Sequence, residues 1–352
     1  MKATVFYKRE EVKVEDVPEP RISDEYDVKI KVSWCGICGS DMEEYLYGPI
    51  VTPTKPHPLT NEKIPLILGH EFCGEVVSVG NNVFNVKIGD KVASYPVLSC
   101  GSCYWCIQNV MCLCEKMACI GLQRNGAFAE YVVVPHKNCY KVEGVKNFEY
   151  MALVEPTATA YRAVKRANIN LGDHIVIIGS GTIGLLVLQI ARLVGADKII
   201  VLDILKERME LAKKLGAHAV LNPRKDNVKK EINRITGNKG VNTVIECAGN
   251  EEAPALACDL VNKGGTVILV GVSPKPSAIN TTNIVISEKK IYGVHGYDSF
   301  NFEKCITLIS ENKLSIGELI TKKIHLEDIV KDGLEELRQR PEKNIKILVT
   351  PK

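Results

Sequence analysis

Four cysteines stand within fifteen residues as Cys100-x2-Cys103-x2-Cys106-x7-Cys114, among the turn formers Gly101, Ser102 and Asn109. Four thiolates close a tetrahedral shell around zinc. The dication supplies the charge that keeps them deprotonated, and a closed shell leaves no place for substrate, so such a site staples a loop rather than catalysing. Cys112 and Cys119 compete for the fourth place on spacing alone. A second set of donors is dispersed: Cys38 in Cys35-Gly-Ile-Cys38-Gly-Ser40-Asp41, the pair His70-Glu71, and Glu155 in Val154-Glu155-Pro156. Together they offer a thiolate, an imidazole and carboxylates, the ligand types of an open, catalytic zinc site. Taken singly, each also suits a plainer role: a small buried thiol, a satisfied His–Glu pair, a helix-start acid before proline.

A third constellation is continuous. His174-Ile-Val-Ile-Ile-Gly179-Ser-Gly181-Thr-Ile-Gly184 runs a buried-strand pattern into G-x-G-x-x-G and then a helix pattern. Gly179 permits the tight turn, Gly181 lets a pyrophosphate approach the backbone, Gly184 lets helix pack on strand, and the helix N-terminus supplies N–H groups to the anion. Asp203 follows Gly184 by 203 − 184 = 19 residues, the spacing of the acid that holds adenosine ribose hydroxyls. A carboxylate there accepts from both hydroxyls and repels a 2′-phosphate, which predicts NAD over NADP. Arg208 and Lys206 oppose that reading if they reach the ribose, and are neutral to it if they lie on a solvated helix face.

The elements that must position these groups divide the chain of 352 residues into roughly two domains by length. Residues 2–145 carry short β-type segments, such as 28–32, 74–79 and 131–135, between turn signals. Beyond Glu155-Pro156, strand-like runs at 174–178, 198–202, 243–246 and 266–270 alternate with helix-length stretches at 184–194, 206–215 and 251–261, the pattern of a doubly wound parallel sheet. The tail carries a helix candidate at 301–312 and a last strand at 344–349 that is able to return to the first domain. The predicted fold class is α/β: a mostly β domain over 1–155 with a metal loop at 100–114, a cofactor domain over 156–291, and a return over 292–352. The net charge of +3 carries no long basic block, which argues against a nucleic-acid partner. The best apolar run, 183–194, is broken by Gln189 and Arg192, so no membrane span is expected. Residues 1–10 are polar and charged, and the thirteen cysteines suit metal ligands and buried thiols of a cytoplasmic protein.

Read together, Cys35-Gly-Ile-Cys38-Gly-Ser-Asp41, Gly69-His70-Glu71-Phe-x-Gly74-Glu75-Val76-Val77, Gly89-Asp90-Lys91-Val92, the cysteine quartet, Phe128-Ala-Glu-Tyr131, Glu155-Pro156 and the glycine turn resemble the zinc-dependent medium-chain dehydrogenases over essentially the whole chain. Glu44-Tyr-Leu-Tyr-Gly48-Pro49-Ile50 and His57-Pro58-Leu59-Thr60-x-Glu62-Lys63 resemble the 2,3-butanediol (acetoin) dehydrogenase branch, with sorbitol and other polyol dehydrogenases as relatives. The resemblance implies a GroES-like catalytic domain built from both chain ends, a Rossmann domain between them, and a cleft between the two. It implies two zincs per chain. One is catalytic, at Cys38 and His70 with Glu71 and Glu155 near or on the metal; the other is structural, at Cys100, Cys103, Cys106 and Cys114. Ser40 matches the hydroxyl that takes the substrate proton, and Asp41 matches the acid that orients the zinc histidine. Ile183, Arg208 and Val270 join Gly179, Gly181, Gly184 and Asp203 as expected NAD contacts. Glu43 departs from the pattern, occupying a place where many relatives carry the histidine that passes the proton to solvent.

The implied activity is hydride exchange between NAD and a secondary alcohol or vicinal diol, 2,3-butanediol/acetoin being favoured over sorbitol and other polyols, threonine and general secondary alcohols. A zinc- and nucleotide-binding protein without turnover is the alternative of another class, and the joint presence of Cys38, Ser40, His70 and Glu155 argues against it. Relatives pair through the cofactor domain, and the apolar run 266–272 would suit an edge strand in such a homodimer or homotetramer. Replacing Asp203 by Ser is expected to relax the preference toward NADP in steady-state assays; equal use of both cofactors by the unmodified chain would contradict the role given to this carboxylate.

Overall fold

The computed structural model describes residues 1–273 and 275–351. They form two compact units, Met1–Glu155 with Asp298–Lys352, and Pro156–Tyr297.

Strand Asp27–Gly36 is the spine of the first unit. Val28, Ile30 and Val32 are buried while Lys29 and Lys31 turn outward, the period-two pattern that fixes which face meets the core. The strand pairs antiparallel with Glu71–Val79, Tyr131–Pro135 and Lys346–Thr350. Phe72, Val76, Phe128, Val132, Ile347 and Val349 pack with its inner residues in one apolar cluster. The C-terminal strand does therefore return to the N-terminal segment. Immediately after the spine, helix Gly39–Tyr47 starts at Cys38, whose backbone N–H donates to Asp41 Oδ2 at 2.9 Å. That acid caps the helix bearing the first candidate ligand.

The second unit holds a six-stranded parallel sheet. In spatial order its strands are Ala219–Leu221, Ile199–Leu202, Ile175–Ile178, Val241–Glu246, Val261–Leu269 and Lys290–Gly293. Ile175–Ile178 and Ile199–Leu202 are buried at every position, as strands covered on both faces must be. The order reverses beside Ile175–Ile178, so the glycine turn after it lies at the switch point where such sheets bind ligands. Gly184 shows why that turn tolerates no side chain: a Cβ there would stand 1.9 Å from the Gly179 carbonyl oxygen.

Two boundaries differ from the sequence expectation. The run 266–272 is not an edge, because Lys290–Gly293 pairs alongside Val261–Leu269 and becomes the sheet's outer strand. That short segment has only intermediate or exposed residues, so it gives no hydrophobic strand signal, and the cofactor unit extends to Tyr297 rather than to residue 291. Among the described residues no helix is long and apolar enough to cross a membrane.

Gly184→Ala must push helix Thr182–Leu193 away from the turn. A loss of about 1–3 kcal/mol, typical of overpacking, is expected in urea unfolding, with at least tenfold weaker NADH binding in a fluorescence titration.

Candidate metal centres and cofactor site

The cysteine quartet converges. The sulfurs of Cys100, Cys103, Cys106 and Cys114 all lie within 4.8 Å of one another, with Cys103–Cys106 at 3.5 Å and Cys100–Cys106 at 3.9 Å. Zn–S bonds of about 2.3 Å in a tetrahedron place sulfurs roughly 3.8 Å apart, so the four fit that ion as they stand. Backbone N–H groups prepare the anions. Those of Ser102 and Cys103 pull Cys100 down to about 6, and those of Glu115 and Cys106 lower Cys103. Burial instead pushes Cys114 up to about 12, which leaves a proton for a dication to displace. Cys112 and Cys119 lie outside the quartet, so the clustering groups Cys114 with the other three sulfurs.

The second set converges on three donors. Atoms of Cys38, His70 and Glu71 lie within 4.8 Å of one another. His70 Nδ1 faces Asp41 Oδ1 at 3.5 Å, and both atoms are buried without a closer partner. His70 Nε2 lies 3.3 Å from Ser40 Oγ. A carboxylate behind one imidazole nitrogen fixes the other as the ligating atom, so Nε2 is the nitrogen offered to a metal. Burial opposes the imidazolium, yet Asp41 and Cys38 outweigh it and hold His70 well above the usual histidine range. The pocket thus demands a positive charge, which a divalent ion also satisfies. Glu155 stands outside the triad, but its charge reaches both Cys119 and Lys346.

Glu71 explains the local glycine. Its carboxylate fills the space beside Gly36, where a Cβ would meet Oε2 at 2.2 Å. Lys346 Nζ, on the C-terminal strand, donates to Glu71 Oε1 and Oε2 at 2.8 and 2.7 Å and to the Ile37 carbonyl at 2.7 Å. Both side chains are buried. Burial opposes the ammonium, but the Glu71 carboxylate raises Lys346 above the ordinary lysine value.

In the second unit a cavity of about 480 Å³ is lined by Gly179, Gly181, Asp203 and Arg208, with Arg224, Cys247 and Asn250 added. Asp203 is 8% exposed. Its Oδ2 accepts from Ser180 N–H and Oγ–H at 2.7 Å each, and Oδ1 accepts from Leu205 N–H at 2.9 Å. The acid therefore locks the glycine turn to the second strand and keeps lone pairs for a ligand. The two cations read together in the sequence separate here. Lys206 is exposed and pairs with Glu210, whereas Arg208 lines the cavity, with Nη1 3.6 Å from where a Gly181 Cβ would stand. Gly184 supports the turn from behind, and Ile183 and Val270 lie outside this lining.

Residues 182–311 match the family described as zinc-binding dehydrogenase, and residues 24–144 match the alcohol dehydrogenase GroES-like domain. The (R,R)-butanediol dehydrogenase of Bacillus subtilis (strain 168) is 38% identical, with all of both chains covered. The sorbitol dehydrogenase of the same organism is 34% identical over all of this chain and 97% of that one. The crystal structure of 2R,3R-butanediol dehydrogenase from Bacillus subtilis superposes with a TM-score of 0.93 at 37% identity, covering 100% of this chain and 99% of that chain. The chain belongs to the zinc-binding dehydrogenases.

For a zinc-binding dehydrogenase, the motif residues are the visible part of the site and Lys346 the part that sequence reasoning missed. A lone lysine in Asn344-Ile-Lys346-Ile reads as the outward residue of a strand, and only the fold sets it against a carboxylate 275 positions earlier. Removing one partner of a buried ion pair typically costs about 3–5 kcal/mol. That loss is expected for Lys346→Met in urea unfolding, with partial recovery in the double variant Lys346→Met, Glu71→Gln; an unchanged midpoint for the single variant would remove the pair from the stability of the first unit.

Proposed function

We propose that this chain interconverts a secondary alcohol or vicinal diol and its ketone with NAD, the 2,3-butanediol/acetoin couple being its substrate pair. The observation that carries the reading is the convergence of three unlike donors, Cys38, His70 and Glu71, with a hydroxyl, Ser40 Oγ, 3.3 Å from the imidazole nitrogen offered to the metal. The butanediol dehydrogenase of Bacillus subtilis, similar in sequence and in structure, supports the choice of substrate, and the sorbitol dehydrogenase relative makes polyols the competing class.

Zinc held by Cys38, His70 and Glu71 supplies Lewis-acid polarisation of the alcohol or carbonyl oxygen, and the nicotinamide supplies the two-electron acceptor. The protein moves the proton and fixes the orientation. Asp41 holds the imidazole from behind, so that its Nε2 stays directed at the side where Ser40 stands. Ser40 takes the hydroxyl proton of the alcohol as hydride leaves its carbon, and returns it in the reverse direction. Glu43 follows three positions on along the same helix, and we assign it the next transfer. Burial and then the neighbouring Glu44 raise its pKa above the ordinary glutamate value, which favours protonation of Glu43 in transit to solvent. In the second unit, Asp203 and Arg208 line one cavity beside the glycine turn, where the acid would hold the adenosine ribose and the guanidinium would stand beside the phosphates.

Two further features belong to the proposal. The chain works in a reducing compartment such as the cytoplasm, where Cys38 and the cysteine quartet stay available as metal ligands. Two copies pair through the outer strand Lys290–Gly293, in which Tyr292 is exposed.

The deciding measurement combines metal analysis with a panel of butanediol isomers, acetoin, sorbitol and threonine. Two zincs per chain and highest kcat/KM on a butanediol isomer are expected. Cys38→Ser and His70→Ala should each lower kcat by at least a thousandfold while leaving NADH binding within twofold. Comparable turnover in either variant would rule out the three-donor mechanism.

A further inference from the structure

Three strands of the second unit end side by side. Ile178, Glu246 and Leu269 are register partners across the sheet, so the segments that begin at Gly179, Cys247 and Val270 leave from one edge. Glu246 stands in the middle of the three, and its side chain is completely buried. Its main-chain carbonyl accepts from Val270 N–H at 2.9 Å and Gly271 N–H at 3.1 Å. Its side-chain Oε1 accepts from Ala248 N–H at 2.6 Å and Gly249 N–H at 2.8 Å. One residue therefore holds four N–H groups, two from its own turn and two from the turn that follows the next strand.

The segments it holds touch through backbone, with no room for side chains between them. A Cβ on Gly179, whose φ is +90°, would stand 2.9 Å from both Cα and N of Ala248. One on Gly249, at φ +65°, would stand 2.7 Å from the Val272 carbonyl oxygen, and one on Gly271 would meet Glu246 Oε2 at 2.8 Å. The 247–249 turn is thus wedged between the glycine turn and residues 271–272. Its exposed side belongs to the cofactor site: Cys247, Ala248 and Asn250 line the same cavity as Gly179, Gly181 and Asp203.

The choice of side chain at position 246 is not one that packing alone explains. Oε2 is buried and has no hydrogen-bond partner among the described residues, and burial raises the carboxyl above the ordinary glutamate value against the opposing pull of the Gly249, Ala248 and Gly271 N–H groups. A buried polar atom left without a partner costs stability, and an apolar residue of the same shape would avoid that cost. What an apolar residue cannot do is fix the N–H groups of Ala248 and Gly249. The turn they belong to lies where the strand order reverses, between Ile175–Ile178 and Val241–Glu246, the place at which a dinucleotide crosses such a sheet.

We propose that Glu246 is a positioning residue for the cofactor, holding the 247–249 turn against the glycine turn so that the two form one rigid wall for the dinucleotide. The NAD-dependent reading supplies the ligand for this role, and the hydrogen bonds alone supply the clamp. The task needs an oxygen acceptor aimed at two N–H groups rather than a negative charge. Glutamine keeps such an acceptor in the same place, whereas leucine fills the volume and offers none.

The test uses the full-length, zinc-loaded protein with Glu246→Gln and Glu246→Leu. In Glu246→Leu, hydrogen exchange at the amides of Ala248 and Gly249 is expected to speed up at least tenfold. The Kd for NADH in a fluorescence titration and the KM for NAD should each rise at least tenfold, with kcat at saturating NAD within threefold and two zincs per chain retained. Glu246→Gln should stay within threefold of the unmodified protein in exchange, Kd and KM. Should Glu246→Leu not fold, Glu246→Asp, which withdraws the carboxylate by one methylene, takes its place with the same weakening expected. A general loss of stability lowers the active fraction, and kcat with it, without separating KM from kcat. Unchanged exchange in Glu246→Leu overturns the clamp, and faster exchange with unchanged NADH affinity overturns the positioning role. A Gln variant as impaired as the Leu variant overturns the acceptor argument. If the unmodified chain binds no NADH, the cofactor reading fails instead, and exchange at Ala248 and Gly249 alone decides whether Glu246 holds the turn.

Discussion

The first unit depends on one buried ion pair. Glu71 and Lys346 meet at 2.7 Å in the interior, and the lysine also caps the Ile37 carbonyl. Taking two charges from water costs several kcal/mol each, recovered only where geometry is good and the remaining hydrogen-bonding capacity is filled. Here the ammonium reaches three oxygens and the carboxylate fills the space left open by Gly36. The pair joins the C-terminal strand to the two N-terminal strands that flank the Cys38–His70 site, so a chain end separated by the whole cofactor unit becomes part of the metal pocket.

The same pair shapes the electrostatics. Cys38, Asp41, Glu71 and Glu155 concentrate acidic groups around a single buried lysine and a histidine held toward its charged form. Lys346 donates to both oxygens of Glu71 and also feels the charges of Cys38 and Glu155. One lysine faces several acidic groups, and the donor atoms of Cys38, His70 and Glu71 converge among them, where a dication would be stabilised. The cysteine quartet meets the same demand differently, with backbone N–H groups stabilising thiolates at Cys100 and Cys103. Four sulfurs at tetrahedral spacing leave no open position. Three unlike donors beside a hydroxyl leave one.

Legibility in the sequence followed the range of the interaction. The cysteine quartet and the glycine turn with Asp203 are local or nearly so, and their spacing announced them before any fold was known; the Cys38, Ser40, Asp41 cluster was legible only through its resemblance to the medium-chain dehydrogenases. The parallel order of the second sheet was equally readable, because strands such as Ile175–Ile178 and Ile199–Leu202 are apolar at each position. Lys290–Gly293 escaped notice because an outer strand of four residues, none buried, has no pattern to detect. Lys346 escaped because its partner is remote. Arg208 and Lys206 were indistinguishable in sequence. They face different surroundings because residues two apart on a helix project in different directions.

One device recurs at four turns, and it ties these observations together. Asp41 accepts from Cys38 N–H, Glu44 from the N–H groups of residues 50–52, Asp203 from Ser180 and Leu205, and Glu246 from Ala248 and Gly249. All four acids are buried. A loop beside a ligand site cannot be pinned by apolar packing on both faces without closing the site, and water-satisfied N–H groups leave it mobile. A nearby carboxylate solves both difficulties, since one side chain satisfies one to three N–H groups and leaves the outer face of the loop free. The glycines that shape these turns are conspicuous in a sequence. The acids that hold them rigid look like any other surface charge until the chain folds over them.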